Sequence, residues 1–515
     1  MKNVLVIGVG PHARRNHLPG LLAGRQAGLV GTVAAVDIPD AAVAIAEFNT
    51  AFEGQEVPYA LVEPFDSNRK TLPPPARRTL DALVRQCAVD AVVISTEPAF
   101  HMVYAHWALG HGLDILLDKP LSVHTDCSSD PGQAAAILTD FDELLDHYGT
   151  VREQSPQTLV TVQCQRRYHP AFRTMKRLIA EVTAETNCPV TSIQSFHSDG
   201  QWRMPNELID ITYHSFDLGY GKCAHSGYHF FDIVPWLLEA GETPGKTLDT
   251  VEVHANVIRP GDFLSQLGLG DYDRLFSGFA ATNPYSEAEL RSLTAGFGEI
   301  DAFVSLACKS GGRTLTLGSI NLVHNGFSQR GSATPVYANL YKGNGRVRHE
   351  SHIIQQGPFQ AIHYHSFQTL ADSGRPRDPH ALGGSEHVEV HVFRNSNFNG
   401  RWTTCETFRY DDLAVAGSPH GEREEPTQSA SRHRAMREFL EYINGKRSRE
   451  QMASELTSHR RSSTLMAGAY LSAARQWSGA SPVAALDFRA ARPAASGASG
   501  APGAEPADDL LDASL

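Results

Sequence analysis

A chain of 515 residues is long enough for two or three domains of about 150 residues, and its net charge of -12 argues against a nucleic-acid backbone as partner. Basic pairs such as Arg166-Arg167 and Arg460-Arg461 stand alone rather than forming a patch. Apolar residues make up 41%, enough for a large core, yet no apolar run is long enough to span a bilayer. The seven cysteines are odd in number, scattered and without a C-x-x-C pair, which excludes a disulfide framework and a zinc ribbon. A strand-like run begins almost at the first residue, leaving no room for a signal peptide, so the expected location is the cytoplasm.

The first predicted strand, Val4–Ile7, is apolar on both faces and runs into Gly8-Val9-Gly10-Pro11-His12-Ala13. This is a G-x-G-x-x-A loop between a strand and a helical pattern near His17–Ala27. Gly8 permits the tight turn, Gly10 lets the backbone approach a pyrophosphate, and Ala13 lets helix and strand pack closely. The helix start then offers free N–H groups and partial positive charge to the phosphates. Pro11 suits the first helical turn, and His12 stands beside the phosphates. The next strand, Thr32–Val36, ends in Asp37, 24 positions after Ala13. A carboxylate there accepts hydrogen bonds from the ribose hydroxyls of NAD and repels the 2′-phosphate of NADP. The stretch Pro39–Pro75, broken by three consecutive prolines, reads in part as a surface insertion.

Helical patterns at Arg77–Cys87 and Met102–Leu109 alternate with strands at Val89–Ser95 and Ile115–Leu117, and Thr158–Gln163 closes the series. This order predicts a doubly wound parallel sheet over residues 1–160. Beyond it the strands lengthen and alternate: Thr191–Phe196, Thr250–Ile258, Ala302–Lys309, Thr314–Ile320 and His387–Phe393. Helical patterns are few, at Gly227–Leu238, Ala435–Asn444 and Leu456–Gln476. Residues 161–480 therefore read as an α+β domain with a large, mainly antiparallel, open-faced sheet. From 481 to 515 small residues, Gly and Pro without periodicity predict a disordered tail.

Three segments carry a family resemblance: Asp90-Ala-Val-Val-Ile-Ser-Thr-Glu-Pro98-Ala-Phe-His101, Gly112-Leu-Asp-Ile-Leu-Leu-Asp118-Lys119-Pro120, and Gln165-Arg-Arg-Tyr-His-Pro170-Ala-Phe. Together they resemble the Gfo/Idh/MocA oxidoreductases, the glucose–fructose oxidoreductase and inositol dehydrogenase family. The likeness covers most of residues 1–240, is weaker in the β-rich part, and returns near Leu456–Tyr470. It implies a Rossmann domain, an open-faced β domain, a bound nicotinamide dinucleotide, which Asp37 assigns as NAD ahead of NADP, and a dimer or tetramer. Asp118-Lys119-Pro120 corresponds to the family's Glu-Lys-Pro, implying that Lys119 lies beside the nicotinamide and the reacting hydroxyl, with Asp118 at the cofactor and the next peptide cis. Thr96 and Glu97 fall by the nicotinamide ribose, and His101 starts the helix that follows.

The segment Lys222-Cys-Ala-His225-Ser-Gly227-Tyr-His229-Phe-Phe-Asp232 resembles the family's Asp-x-Gly-x-His-x-x-Asp, with His229 at the catalytic histidine and His225 where an aspartate is usual. At helical spacing Lys222, His225, His229 and Asp232 share one face, which assigns Lys222 and Asp232 to the substrate. The resemblance places Arg166 and Tyr168 near the substrate too. Three assignments of the general base stay open: Lys119 alone, His229, or His225 as a relay. No metal is expected. His225/His229 and His387/His391 are i, i+4 pairs and His363 and His365 share a strand face, but 24 histidines produce such pairs by chance, and a zinc helix would also want an adjacent Glu.

The expected function is NAD(P)-dependent hydride transfer to or from a secondary alcohol of a sugar, cyclitol or related polyol. Two alternatives accompany it: a lyase or glycosidase-type enzyme using NAD transiently, and a non-catalytic NAD-binding regulator.

Overall fold

The strand Lys2–Ile7 (β1) buries Val4, Leu5, Val6 and Ile7 to 1% exposure or less, as a strand covered on both faces must. The computed structural model describes residues 1–51, 57–211, 214–331, 345–369, 378–417 and 422–490. β1 pairs in parallel with Val30–Asp37 (β2) and Ala91–Ile94 (β4). Tyr59–Leu61 (β3) lies beyond β2; Asp114–Leu117 (β5) and Val160–Val162 (β6) lie beyond β4. The resulting order, β3-β2-β1-β4-β5-β6, reverses direction of growth at β1 and β4, so the ligand crevice opens between their carboxyl ends.

Two corrections to the sequence reading fall here. Pro39–Pro75 holds the helix Ala42–Ala51 and β3, so this stretch completes the sheet instead of only decorating it. β6 straddles the boundary expected at residue 160.

Helices cover both faces of this sheet. One face packs Leu5, Ile7, Val92 and Ile94 against Leu80 and Val103. The other packs Val4, Val6, Val33 and Val93 against Leu18, Leu21 and Leu22. The second face also receives Met436, Phe439, Leu440 and Ile443 from the helix Gln428–Ile443. A segment remote in sequence therefore clasps the N-terminal sheet.

The second sheet is formed by Ser192–Ser198 (β7), Thr250–Ile258 (β8), Asp301–Ser310 (β9), Arg313–Val323 (β10), Val347–Gln356 (β11), Gln360–Thr369 (β12), Glu389–Arg394 (β13), Cys405–Phe408 (β14) and Ala484–Asp487 (β15). Its order is β14-β13-β12-β11-β7-β10-β9-β8-β15. β7 and β10 run parallel; the other pairs are antiparallel. Alternation of buried and half-buried residues along most of β11 and β12 marks a sheet covered on one side. β15 pairs with β8, so the disorder expected from Ser481 is corrected: the chain is ordered through β15, and residues 491–515 lie outside the described ones.

The expectation of few helices in the second part is also corrected. Pro170–Thr186 is a helix of 17 residues burying Phe172, Met175, Leu178, Ile179 and Val182. Shorter ones follow at Pro260–Gln266, Leu269–Leu275, Glu287–Leu293 and Tyr410–Ala416.

Candidate active site

A cleft of about 1160 Å³ runs from the carboxyl end of the first sheet to the covered face of the second. At its N-terminal end Gly8 adopts a φ of +90°, and a Cβ there would come within 2.6 Å of the Ser95 carbonyl oxygen. Only glycine fits both demands. A Cβ on Gly10 would meet nothing within 4 Å, so the backbone stands open toward the cleft, where a diphosphate can approach. The helix begins at Pro11, with Arg14 N–H bonding the Gly10 carbonyl at 3.1 Å, and then widens into a π-helical turn over Ala13–His17.

Asp37, at the end of β2, accepts the Val9 N–H at 2.5 Å and the Ile38 N–H at 2.7 Å. It lines the cleft with Gly8, Gly10, Pro11, His12, Thr96 and Glu97. The bend, the open glycine and the terminal acid fit a dinucleotide lying across β1 and β2. Asp37→Ala is expected to weaken NADH binding by about tenfold or more and to narrow the preference over NADPH. Fluorescence titration with both nucleotides checks this. Tighter binding of NADPH than NADH by the unaltered chain would contradict it.

At the mouth of β5, Asp118 accepts the Ser95 hydroxyl at 2.6 Å and lies 3.0 Å from His17 Nε2. Burial works against its charge, but His17 and His12 outweigh it and hold the carboxyl far below its ordinary range. The next peptide, Lys119–Pro120, is cis. Lys119 Nζ donates to the His225 carbonyl oxygen. Burial of the ammonium lowers its pKa from 10.5 to about 8, against the opposing pull of Asp118.

The opposite wall is the helix Tyr228–Leu238, preceded by a second π-helical turn at Cys223–Gly227. His229 Nε2 lies 3.1 Å from the Gln165 side-chain nitrogen, while His229 Nδ1 and His225 Nε2 are buried without a partner. Burial, with Arg166 and Lys119 near His229 and Lys119 near His225, pushes both imidazoles well below their ordinary range. They are neutral at physiological pH.

Strands β7 and β11 form the floor. Arg166 holds Glu350 with two hydrogen bonds, 2.8 and 2.6 Å, leaving Arg166 Nη1 buried and unpartnered. Asp199 gathers Lys222, Ser226 and Arg346.

The structure relocates four of the expected site residues, Lys222, Asp232, Tyr168 and His101, and keeps Ala13 in its expected packing place. Lys222 is 1% exposed and spent on Asp199, His197 and Ser226 beneath the cleft. Asp232 is held by Arg167 at 2.6 and 3.1 Å, by Ser462 at 2.9 Å and by His459 at 3.2 Å, outside the cleft lining. The π-turn at Cys223–Gly227 lies between Lys222 and His229 and breaks their regular spacing, whereas Asp232 follows His229 in regular helix and turns away from the cleft to Arg167. Tyr168 donates its hydroxyl to Glu438 at 2.6 Å and faces the helix Gln428–Ile443. Ala13 is wholly buried and packs helix against strand. His101 is also buried; its ring nitrogens lie 2.8 and 3.1 Å from the carbonyl oxygens of Pro120 and Thr96, bracing the turn that carries Lys119.

Sequence reasoning missed His17, Gln165, Asp199, Arg203, His214, His324, Arg346, Arg348, Glu350 and Arg432. Of these all but His17 line the cleft, and His17 anchors Asp118 from behind. Among the described residues, two groups could gather a metal's ligands: His12, His17 and Asp118, and the fully buried Cys164, Asp232 and His459. The first lies at the phosphate end; the second has Asp232 already committed to Arg167. Among the described residues no helix is long and apolar enough to cross a membrane.

A glycine cradle at a sheet's switch point, opening onto an amine and two neutral imidazoles, defines a dinucleotide-dependent oxidoreductase. Residues 2–137 match the family model described as "Oxidoreductase family, NAD-binding Rossmann fold", that of the Gfo/Idh/MocA oxidoreductases. No curated protein matches the chain in sequence. Several solved structures share its fold. A levoglucosan dehydrogenase in complex with NADH and L-sorbose has a TM-score of 0.55 at 15% identity, covering 95% of this chain and 99% of the other. An oxidoreductase from Agrobacterium radiobacter, in complex with NAD+, L-tartaric acid and magnesium, gives 0.52 at 12%, covering 95% and 98%. Aldose-aldose oxidoreductase from Caulobacter crescentus, complexed with glycerol, gives 0.51 at 11%, covering 94% and 99%. The likeness at these identities is one of fold.

Proposed function

We propose that this chain transfers hydride between NAD and a secondary alcohol of a sugar, cyclitol or related polyol, with Lys119 as the general base. One observation carries the reading. Lys119, with an amine that titrates near 8, lies across the cleft from buried imidazole nitrogens of His225 and His229 that have no protein partner. Buried polar atoms left open in a cleft point to a ligand that completes them.

Bound NAD would supply the two-electron chemistry, held at Gly8, Gly10, Pro11, His12 and Asp37 with Thr96 and Glu97 beyond. Lys119 takes the hydroxyl proton as the alcohol is oxidised and returns it on reduction. An amine near 8 is better matched to that task than imidazoles held well below 6.5. His229 and His225 then bind and orient the hydroxyls, and Gln165 sets the direction of the His229 ring. Arg166, fixed by Glu350, offers its free Nη1 to the substrate.

Absorbance at 340 nm with a panel of sugars and cyclitols tests this. NADH should accumulate with at least one member. Product formed without NADH would favour transient redox, and no chemistry with any substrate would favour a regulator.

A further inference from the structure

At the far end of the cleft, four arginines, Arg166, Arg203, Arg346 and Arg348, face two inner carboxylates, Asp199 and Glu350, with Lys222 buried beneath Asp199. Glu350 is matched by Arg166. Asp199 is shared between Lys222 and Arg346. Among the described residues, Arg203 and Arg348 have no carboxylate within salt-bridge distance. Arg203 bonds the Gln201 amide oxygen at 2.5 Å; its Nε is buried and unpartnered, and the residue is 2% exposed. Arg348 gives one Nη to the Gln428 amide oxygen at 3.0 Å and the other to the Gln368 amide oxygen.

Two arginines held only by neutral amides are an expensive arrangement inside a protein unless an anion completes it. Burial, with the charge of Arg346 acting on both, brings Arg203 and Arg348 down to about 10, against the opposing pull of Glu207 on Arg203 and of Glu350 on Arg348. His324 lies at the same end, with Nε2 buried and unpartnered. The cluster is one ring away from the reacting end: Phe216 packs 5.3 Å from both His225 and His324. Glu386 and Glu425 also line the cleft, and Glu425 is exposed at its rim. Guanidinium forks match carboxylate and phosphate oxygens in geometry and charge.

We infer that the substrate carries an anionic group, a carboxylate or a phosphate ester, seated among Arg203, Arg346 and Arg348 while its hydroxyl meets Lys119. The inference rests on the polyol-oxidising reading of the cleft and names the class of polyol.

The test titrates matched sets into the full chain loaded with NADH: a neutral hexose, its uronic acid and its 6-phosphate, in the gluco, galacto and manno series. At least one charged sugar should bind about a hundredfold more tightly than its neutral parent, and which one identifies the anion. Arg348→Met and Arg203→Met should each remove at least about tenfold of that preference, and Arg203→Lys should restore part of it. Arg348 is half-buried, so its variant remains informative if Arg203→Met fails to fold. Neutral sugars bound as tightly as charged ones in every series, or no charged sugar bound at all, overturns the inference. A chain that prefers charged sugars but does not bind NADH instead overturns the dinucleotide reading and leaves this one standing.

Discussion

Replacing Lys119 by alanine is expected to lower turnover at least about a hundredfold while leaving NADH affinity nearly unchanged. The amine sits beyond the glycine cradle, fixed by the His225 carbonyl, so its loss removes a proton acceptor without disturbing the phosphate end. Its pH dependence supplies a second check. The pKa is lowered from 10.5 to about 8, so the neutral amine needed for oxidation becomes dominant as pH rises through 8. Oxidation should therefore speed up across that region and reduction, which needs the ammonium, should slow. His225 and His229, already neutral there, contribute no such limb. Steady-state rates from about pH 6 to about pH 10 would show it. Near-normal turnover of Lys119→Ala, or an unaltered pH limb in that variant, would remove Lys119 from the mechanism.

The second large effect is on stability. Arg167 and Asp232 are each 1% exposed or less and clasp one another, with Arg167 also bonding the Ala453 carbonyl at 3.1 Å and the Ser458 hydroxyl at 2.6 Å. This pair ties the helix Tyr228–Leu238 to the start of the helix Arg460–Trp477. Arg167→Met leaves the Asp232 carboxylate buried with His459, Ser462 and the Cys164 thiol but no guanidinium, and should cost about 3–5 kcal/mol. The double variant Arg167→Met/Asp232→Leu should recover much of it, because neither charge is then left alone. Denaturant unfolding measures both. An unshifted midpoint with a raised KM would return Asp232 to the substrate.

Much of the dinucleotide end was legible in the sequence because it depends on local rules. Gly8, Gly10 and Asp37 take their roles from a turn, an open backbone and a strand end, all set by neighbours in the chain. Lys119 was legible only through resemblance; alone, a lysine before a proline reads as a surface turn. Lys222 misled because helical spacing assumes a regular helix, and the π-turn at Cys223–Gly227 inserts a residue that no propensity announces; Asp232 misled because its partner, Arg167, comes from a distant segment. The arginine cluster left a weak signal: Arg348, Glu350 and His352 recur with the period of a strand on one face of β11, and Arg346 stands in the same period just before it. What the sequence does not reveal is that this face turns inward, because the partners, Asp199 and Arg166, come from distant segments. The helix Pro170–Thr186 does carry a legible stripe, with Phe172, Met175, Ile179 and Val182 at three- and four-residue spacing.

A crystal structure of the chain with NADH bound tests the central claim most directly. The account predicts the diphosphate at the start of the helix after Gly10, the adenosine ribose at Asp37 and the nicotinamide ring beside the Lys119 amine. A nucleotide lodged elsewhere, or a ring turned away from that amine, would contradict it.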